Sequence, residues 1–315
     1  MKKNLPVVFS TDDNYVTPLC VTLQSILLTK KADVSFDFYV LNEGLLQENK
    51  NTLLKFAQNG CTVNFIDMSA FMKGTTFPDV TYYSIAAFYR FFIPVIFSNY
   101  EKVLYLDCDL IARRCISEIF DIDVSGYIFG AVYDRGLNFH GIDDINSGVL
   151  IFNVAEYNKN DTCNKLVEYA NTHDNLPQVD QNCFNAICKD KLLHIDCKYN
   201  FQNILCFDND KCVSRLKKEL KAQKVGKLKN VVIVHYAYLK AWTFPKLPLS
   251  RLWWKTVKTL PKDLQQRHKE FALIQQEKSK ENEFKAWQYR SAVSRFFYKV
   301  RVKISLTFKK IFKKR

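Results

Sequence analysis

Two aspartates stand one residue apart in "VLYLDCDLIARR", residues 103–114, where an apolar run ends. Side chains on an extended chain repeat every two residues, so Asp107 and Asp109 point the same way and can offer two oxygens to one hard divalent cation. The same pair would equally serve a turn. Further along, "VVIVHYAY" (231–238) reads as a buried strand that delivers His235 near its end. That histidine is either packed core or the imidazole that completes a mixed oxygen and nitrogen set suited to Mn²⁺. An ion with open positions can hold a diphosphate and stabilise the charge of a leaving group. "STDDNY" (10–15) offers Asp12 and Asn14 as acceptor and donor groups for a nucleoside, or alternatively as caps for the next helix. Arg90 is a lone cation in "SIAAFYRFF" (84–92), either exposed or reaching into a site. No Gly-rich phosphate loop and no dinucleotide fingerprint follows a strand.

Elements that could hold these residues alternate along the first half. Strand-like runs at 5–10, 34–41, 61–68 and 101–107 are separated by helical spacing at 18–30, 45–58 and 84–97, the last containing Pro94. This order predicts an α/β domain around a mostly parallel, Rossmann-like sheet, with ligands beyond the carboxyl ends of the strands. "STDDNY" and "DCD" both fall at such ends. After residue 120, strands are expected at 126–134, 145–154 and 231–238, and helices at 155–172 and 179–190.

The chain has 315 residues, 48% of them hydrophobic and 14% aromatic, enough for a sizeable core. No run reaches the roughly 18 apolar residues of a spanning helix. The N-terminus predicts no secretory signal. The ten cysteines are scattered without metal spacing and read as reduced, buried thiols. The net charge of +14 is concentrated: residues 284–315 hold eleven Lys/Arg and no acid. There Val293, Phe297, Val300, Ile304, Phe308 and Ile311 follow helical spacing, which predicts a basic amphipathic helix on an anionic membrane surface. The near-balanced body argues against specific nucleic-acid binding. The expected organisation is a catalytic domain over 1–245, a helical extension over 246–283 and the membrane-associating tail over 284–315.

The order "VFSTDDNYVTPLCVTLQSIL", "SIAAFYRFFIP", "KVLYLDCDLIARR", "NSGVLIFNV", "DQNCFNA" and "HYAYLKAW" resembles glycosyltransferase family 8. The resemblance runs from residue 7 to about 242, and the basic tail resembles that of the bacterial lipopolysaccharide enzymes. It implies a single GT-A-type domain, a UDP-sugar donor and a divalent ion, Mn²⁺ or Mg²⁺. By similarity Asp107, Asp109 and His235 are the metal ligands. Ser10, Asp12 and Asn14 line the uridine pocket, with Cys108 between the two aspartates. Lys240 reaches the diphosphate, and Arg90, Asn146, Asp180 and Gln181 surround the donor sugar. The family retains anomeric configuration, and only Asp180 or Gln181 could act as a nucleophile. An amide oxygen is a poor one, which favours same-face attack. Two departures stand out. The family often has histidine where this chain has Tyr82. It also commonly has H-Y-x-G-x-x-K-P-W where "HYAYLKAW" is one residue shorter, lacks the glycine and carries Ala241 for proline.

The resulting expectation is a retaining, metal-dependent transferase moving galactose or glucose from UDP to a glycan or lipid-linked glycan. The acceptor would be lipopolysaccharide, lipooligosaccharide or another surface glycan, met by a cytoplasmic enzyme attached to the inner face of the membrane. Two alternatives remain at this point: a sugar nucleotidyltransferase, and a non-catalytic membrane- or polyanion-binding protein whose tail is the functional part.

Overall fold

The computed structural model describes residues 3–73, 75, 77, 84–138, 142–203, 221, 225, 227–237, 239–245 and 249–288. Tyr82, Tyr238, the segment 207–220 and the tail from 289 onward lie outside the described residues. Ten strands are described: β1 (Lys3–Ser10), β2 (Val34–Asn42), β3 (Thr62–Asp67), β4 (Lys102–Leu106), β5 (Leu110–Ala112), β6 (Phe129–Tyr133), β7 (Ile145–Asn153), β8 (Leu192–His194), β9 (Phe201–Gln202) and β10 (Ile233–His235). The longer helices are α1 (Val16–Thr29), α2 (Gln47–Leu54), α3 (Val154–Lys159), α4 (Thr162–Thr172), α5 (Asp180–Cys188), α6 (Ser250–Val257) and α7 (Lys262–Gln288).

Seven strands form one sheet in the order β3-β2-β1-β4-β7-β6-β8, and β5-β10-β9 form a second, smaller sheet. Strands β1 to β4 pair in parallel, β7 runs antiparallel to both neighbours, and β8 is parallel to β6. This is the mostly parallel α/β sheet that the alternation predicts. Val7, Val8 and Phe9 of β1 and Val103 to Leu106 of β4 are all buried, as strands covered on both faces require. Because β7 is antiparallel, its first residues lie at the same sheet edge as the last residues of β1 and β4. That edge therefore collects Ser10, Asp107 and Asn146 from distant parts of the chain.

Two segments differ from the helical expectation. Residues 84–97 are mainly a 3₁₀ helix, Ile85–Phe92, capped by Ser84 and followed by a single α-turn, Ile93–Ile96. Pro94 has no N–H to continue an α ladder, and Phe88, Tyr89, Arg90, Phe91 and Phe92 are all buried, so packing on every side sets the winding. The run 155–172 breaks into α3 and α4 at Asp161, whose φ of 52° places it in the left-handed region. Residues 1–268 form one compact unit; residues 269–315 form a second, helical through Gln288 in its described part. Among the described residues no helix is long and apolar enough to cross a membrane.

Candidate active site

Strand β4 ends at Leu106, and the next three residues, Asp107, Cys108 and Asp109, bridge to β5. Three backbone contacts set their course. The Asp107 N–H donates to Gly148 O of β7 (2.9 Å), and Tyr236 N–H, just after β10, donates to Asp109 O (3.0 Å). The antiparallel β5–β10 pairing sets His235 opposite Leu110. The bridge is braced from below by α1. Thr22 Oγ1 donates towards Cys108 O (2.7 Å) and Leu110 O (2.9 Å), and Ser25 Oγ accepts from Ala112 N–H (2.9 Å). The Cys108 thiol points to Ser10 O (3.2 Å), tying the bridge to the end of β1. With the middle residue turned to β1, the two aspartates face the open side.

Asp107, Asp109 and His235 each present a ligand atom, all within 4.8 Å of one another. His235 Nε2 lies 3.2 Å from Asp109 Oδ1 and 3.6 Å from Asp107 Oδ2. Two features fit this set to a divalent cation. Asp109 Oδ1 is buried and makes no hydrogen bond. The cradle is also closed to side chains: a Cβ on Gly148 would lie 2.4 Å from His235 Cε1 and 2.8 Å from Asp107 Oδ2. Two carboxylates and one imidazole suit Mn²⁺ or Mg²⁺ far better than a soft metal.

The remaining charge is organised around Arg90. It is buried, ion-paired to Asp180 (3.1 Å) and Asp107 (3.3 Å), and donates to Ser147 O (2.9 Å) and Oγ (3.0 Å). Its guanidinium lies 4.5 Å from the Tyr105 ring centroid, while the Tyr105 hydroxyl donates to Asp107 Oδ1 (2.7 Å). Lys240 Nζ pairs with Asp109 Oδ2 and donates to Tyr236 O (3.0 Å) and Ala237 O (3.2 Å). Burial alone would raise the Asp109 carboxyl, but Lys240 and His235 outweigh it and hold the group below the ordinary carboxylate range. For Lys240, burial lowers and Asp109 raises, and the carboxylate wins, so the ammonium is held above its ordinary value. Asp180 goes the other way: burial outweighs Arg90 and pushes it up to about 6.

These groups line a cavity of about 440 Å³, within the usual range for small-molecule sites. Ser10, Asp12, Arg90, Asp107, Cys108, Asp109, Asn146, Asp180, Gln181, His235 and Lys240 all lie in its lining. Asn14 is not in the lining; it is exposed, and its N–H donates to Asp12 Oδ1 (2.9 Å), which fixes the loop instead. Sequence reasoning missed Tyr15, Asp134, Ser147 and Gly148, which also line the cavity. The clue for two of them was the small pair "SG" just after Asn146. Asp134 carries no local signal. Its role comes from β6 lying beside β7, where Asp134 Oδ2 accepts from Asn146 (3.3 Å) and Gln181 (3.1 Å). Trp253 and Trp242 are buried, and Trp253 Nε1 donates to His268 Nε2 (2.9 Å), so both belong to the core.

Comparison with known proteins agrees with this architecture. The profile of glycosyl transferase family 8 matches residues 6–245. Glycosyltransferase GlyB of Streptococcus pneumoniae serotype 4 is 30% identical over 257 residues, 79% of this chain and 60% of its own length. A relative from Haemophilus influenzae, described as a glycosyltransferase without demonstrated activity being stated, is 26% identical over 230 residues, 65% of this chain and 68% of its own. The chain thus spans about 60% of the length of the pneumococcal relative. Among solved structures, galactosyltransferase LgtC with donor and acceptor sugar analogues aligns with a TM-score of 0.67 at 22% identity, covering 83% of this chain and 99% of that one. The bifunctional glycosyltransferase WbbM aligns at 0.70 and 20% identity, covering 88% of this chain and 52% of that one. These likenesses show the fold, which is of the GT-A type.

Proposed function

The chain belongs to glycosyl transferase family 8, and from that premise we propose that it transfers a hexose, galactose or glucose, from a UDP-sugar to a glycan acceptor with retention of configuration. The observation that carries the proposal is the meeting of Asp107, Asp109 and His235 in one cavity at the carboxyl ends of β1 and β4. A divalent cation held by these three residues would supply positive charge to a departing diphosphate.

The protein's own groups complete the chemistry. Asp12 and Ser10 at the β1 end are the polar groups for the nucleoside, and Tyr15, with its ring against Trp242 at 6.2 Å between centroids, offers an aromatic face beside them. Lys240, freed from Asp109, can neutralise a phosphate oxygen. Arg90 holds Asp180 and Ser147 on the sugar side of the cavity. Gln181 is already fully engaged: its Oε1 accepts from Asn146 (3.2 Å) and Ser147 N–H (3.2 Å), and its Nε2 donates to Asp134 and to Gln178 (2.6 Å). Asp180 is tied to Arg90. The engagement of the Gln181 amide argues against it as a nucleophile, and the ion pair that Asp180 makes with Arg90 withdraws charge from its carboxylate; both favour attack from the face that the leaving group vacates.

The acceptor we propose is lipopolysaccharide, lipooligosaccharide or another lipid-linked surface glycan. It would be met at the inner face of the membrane by a cytoplasmic enzyme that the basic tail 284–315 holds there; the charge and apolar spacing of that tail support this. The test is UDP release from a panel of UDP-sugars, with Mn²⁺ and with EDTA. The proposal expects Mn²⁺-dependent release from one UDP-hexose, lost in Asp109→Ala. No turnover with any donor, or turnover indifferent to EDTA, would refute it. Truncation after residue 283 should abolish sedimentation with anionic vesicles and spare transfer to a soluble acceptor.

A further inference from the structure

Asn200 is wholly buried, in the turn between a single 3₁₀ turn at Cys197–Tyr199 and β9. Its Nδ2 donates to Asn146 Oδ1 (2.8 Å), and its Oδ1 faces His235 Nδ1 at 3.0 Å. Which way an amide faces has to be settled by its partners, and here they settle it from both ends. Asn146 Oδ1 receives the backbone N–H of Gly148 (3.2 Å), a group that can only donate. Asn146 Nδ2 faces Asp134 Oδ2 (3.3 Å), and a carboxylate can only accept. Asn146 therefore turns its oxygen towards Asn200 and requires a donor there. Asn200 must give its NH₂, which leaves its oxygen towards His235. The imidazole must then supply a hydrogen from Nδ1.

The opposite side of the ring pulls the other way. Asp109 Oδ1 and Asp107 Oδ2 stand 3.2 Å and 3.6 Å from Nε2 and would draw a hydrogen onto that nitrogen. A nitrogen bearing hydrogen has no lone pair for a cation. We propose that Asn200 is a positioning residue for His235: oriented by Asn146, and through it by Asp134 and the Gly148 amide, it keeps a hydrogen on Nδ1 so that Nε2 is the nitrogen open to a divalent cation between Asp107 and Asp109. The direction of the relay is set by its ends, one acceptor-only and one donor-only, and a flip of Asn200 alone would set oxygen against oxygen at Asn146. The inference rests on the cation reading of Asp107, Asp109 and His235, but its first measurement does not.

That measurement is the imidazole ¹⁵N spectrum of the full-length, ion-free protein at alkaline pH, with the His235 signals assigned by their loss in His235→Gln. Wild type should show a hydrogen-bearing Nδ1. Asn200→Leu, similar in shape but without an acceptor, should move the hydrogen to Nε2. Asn200→Asp, which presents an oxygen to Nδ1 in either orientation, should leave it on Nδ1 and lose stability instead, because its second oxygen meets Asn146 Oδ1. Mn²⁺ binding without nucleotide should then fall about 10–100-fold in Asn200→Leu and only a few-fold in Asn200→Asp, the scale on which such orienting partners act. A hydrogen-free Nδ1 in wild type overturns the inference. So does a ring unchanged in Asn200→Leu, or an equal Mn²⁺ loss in both variants. If Asn200→Leu does not fold, the wild-type and Asn200→Asp spectra decide alone. Should the ring signals behave as expected while wild type binds no Mn²⁺, the cation reading fails and the control of the ring by Asn200 stands.

Discussion

Replacing Gly148 by alanine puts one methyl group into the cradle between His235 and Asp107. The new carbon would lie 2.4 Å from His235 Cε1, 2.8 Å from Asp107 Oδ2 and 3.0 Å from His235 Nδ1. Unstrained contacts between carbons need about 3.5 Å, so the overlap with the imidazole is about 1 Å. His235 has little room to retreat: it is buried, belongs to β10 and is held at Nδ1 by Asn200. The Asp107 side chain, 27% exposed, can swing into the cavity. Either response misplaces a ligand by several tenths of an ångström or more, while a metal site tolerates about 0.2 Å. We expect Gly148→Ala to weaken Mn²⁺ binding at least about 10-fold, judged against the 10–100-fold losses that follow when orienting partners are removed. The strain should cost about 1–3 kcal/mol of stability. Gly130→Ala is the control. Its Cβ would meet Ile151 Cγ2 at 2.9 Å and Ile195 Cγ2 at 3.0 Å, in the core and away from the cavity lining. It should lose comparable stability and keep Mn²⁺ affinity. Titration calorimetry with Mn²⁺ and UDP, beside urea unfolding of both variants, separates the two effects. Wild-type Mn²⁺ affinity in Gly148→Ala would refute the reasoning.

Three further outcomes follow from the same geometry. Burial of His268 lowers it to about 4 from 6.5, so the native state binds fewer protons than the unfolded chain in that window. Stability is then lost as pH falls from 6.5 to 4, by about 3 kcal/mol at 1.36 kcal/mol per unit, and urea unfolding should show that slope flattened in His268→Gln. Thr22→Val removes the hydroxyl that serves Cys108 O and Leu110 O; unfolding should show a loss of about 1–3 kcal/mol, and Mn²⁺ affinity should drop as the carboxylates loosen. Lys240→Met frees Asp109 Oδ2, so nucleotide-free protein should bind Mn²⁺ more tightly while UDP binding weakens, both read by calorimetry.

Much of the first half of the fold could be read from periodicity, because β1 and β4 contain apolar runs, β2 and β3 mix apolar and polar residues as strands do, and helical spacing separates them. The helical spacing of 84–97 misled because aromatic residues buried on all sides give the same apolar pattern for a 3₁₀ as for an α-helix, and Pro94 alone does not tell them apart. The paired aspartates and His235 stood out because each follows an apolar run. What the pattern could not show is pairing between remote short strands. The apolar run 231–238 predicts a strand and β10 lies within it, but its partner β5 is only three residues long and nothing in the pattern marks it; their pairing brings His235 beside Asp109. Asn200 and Asp134 were invisible for a related reason: a buried amide or carboxylate in a loop looks like any turn residue until its partners are known. Thr22 hid in α1 because nothing in the helical spacing separates it from the helix's other small polar residues, Thr17, Ser25 and Thr29.

The central claim is that Asp107, Asp109 and His235 together hold one divalent cation that joins the protein to a uridine diphosphate. Equilibrium dialysis of Mn²⁺ against the full-length protein in saturating UDP tests it directly, with Asp109→Ala and His235→Gln alongside wild type. The account predicts one Mn²⁺ per chain for wild type, dependent on UDP for full affinity, and none for either variant. One Mn²⁺ per chain retained by both folded variants, or none bound by wild type with UDP present, would contradict it.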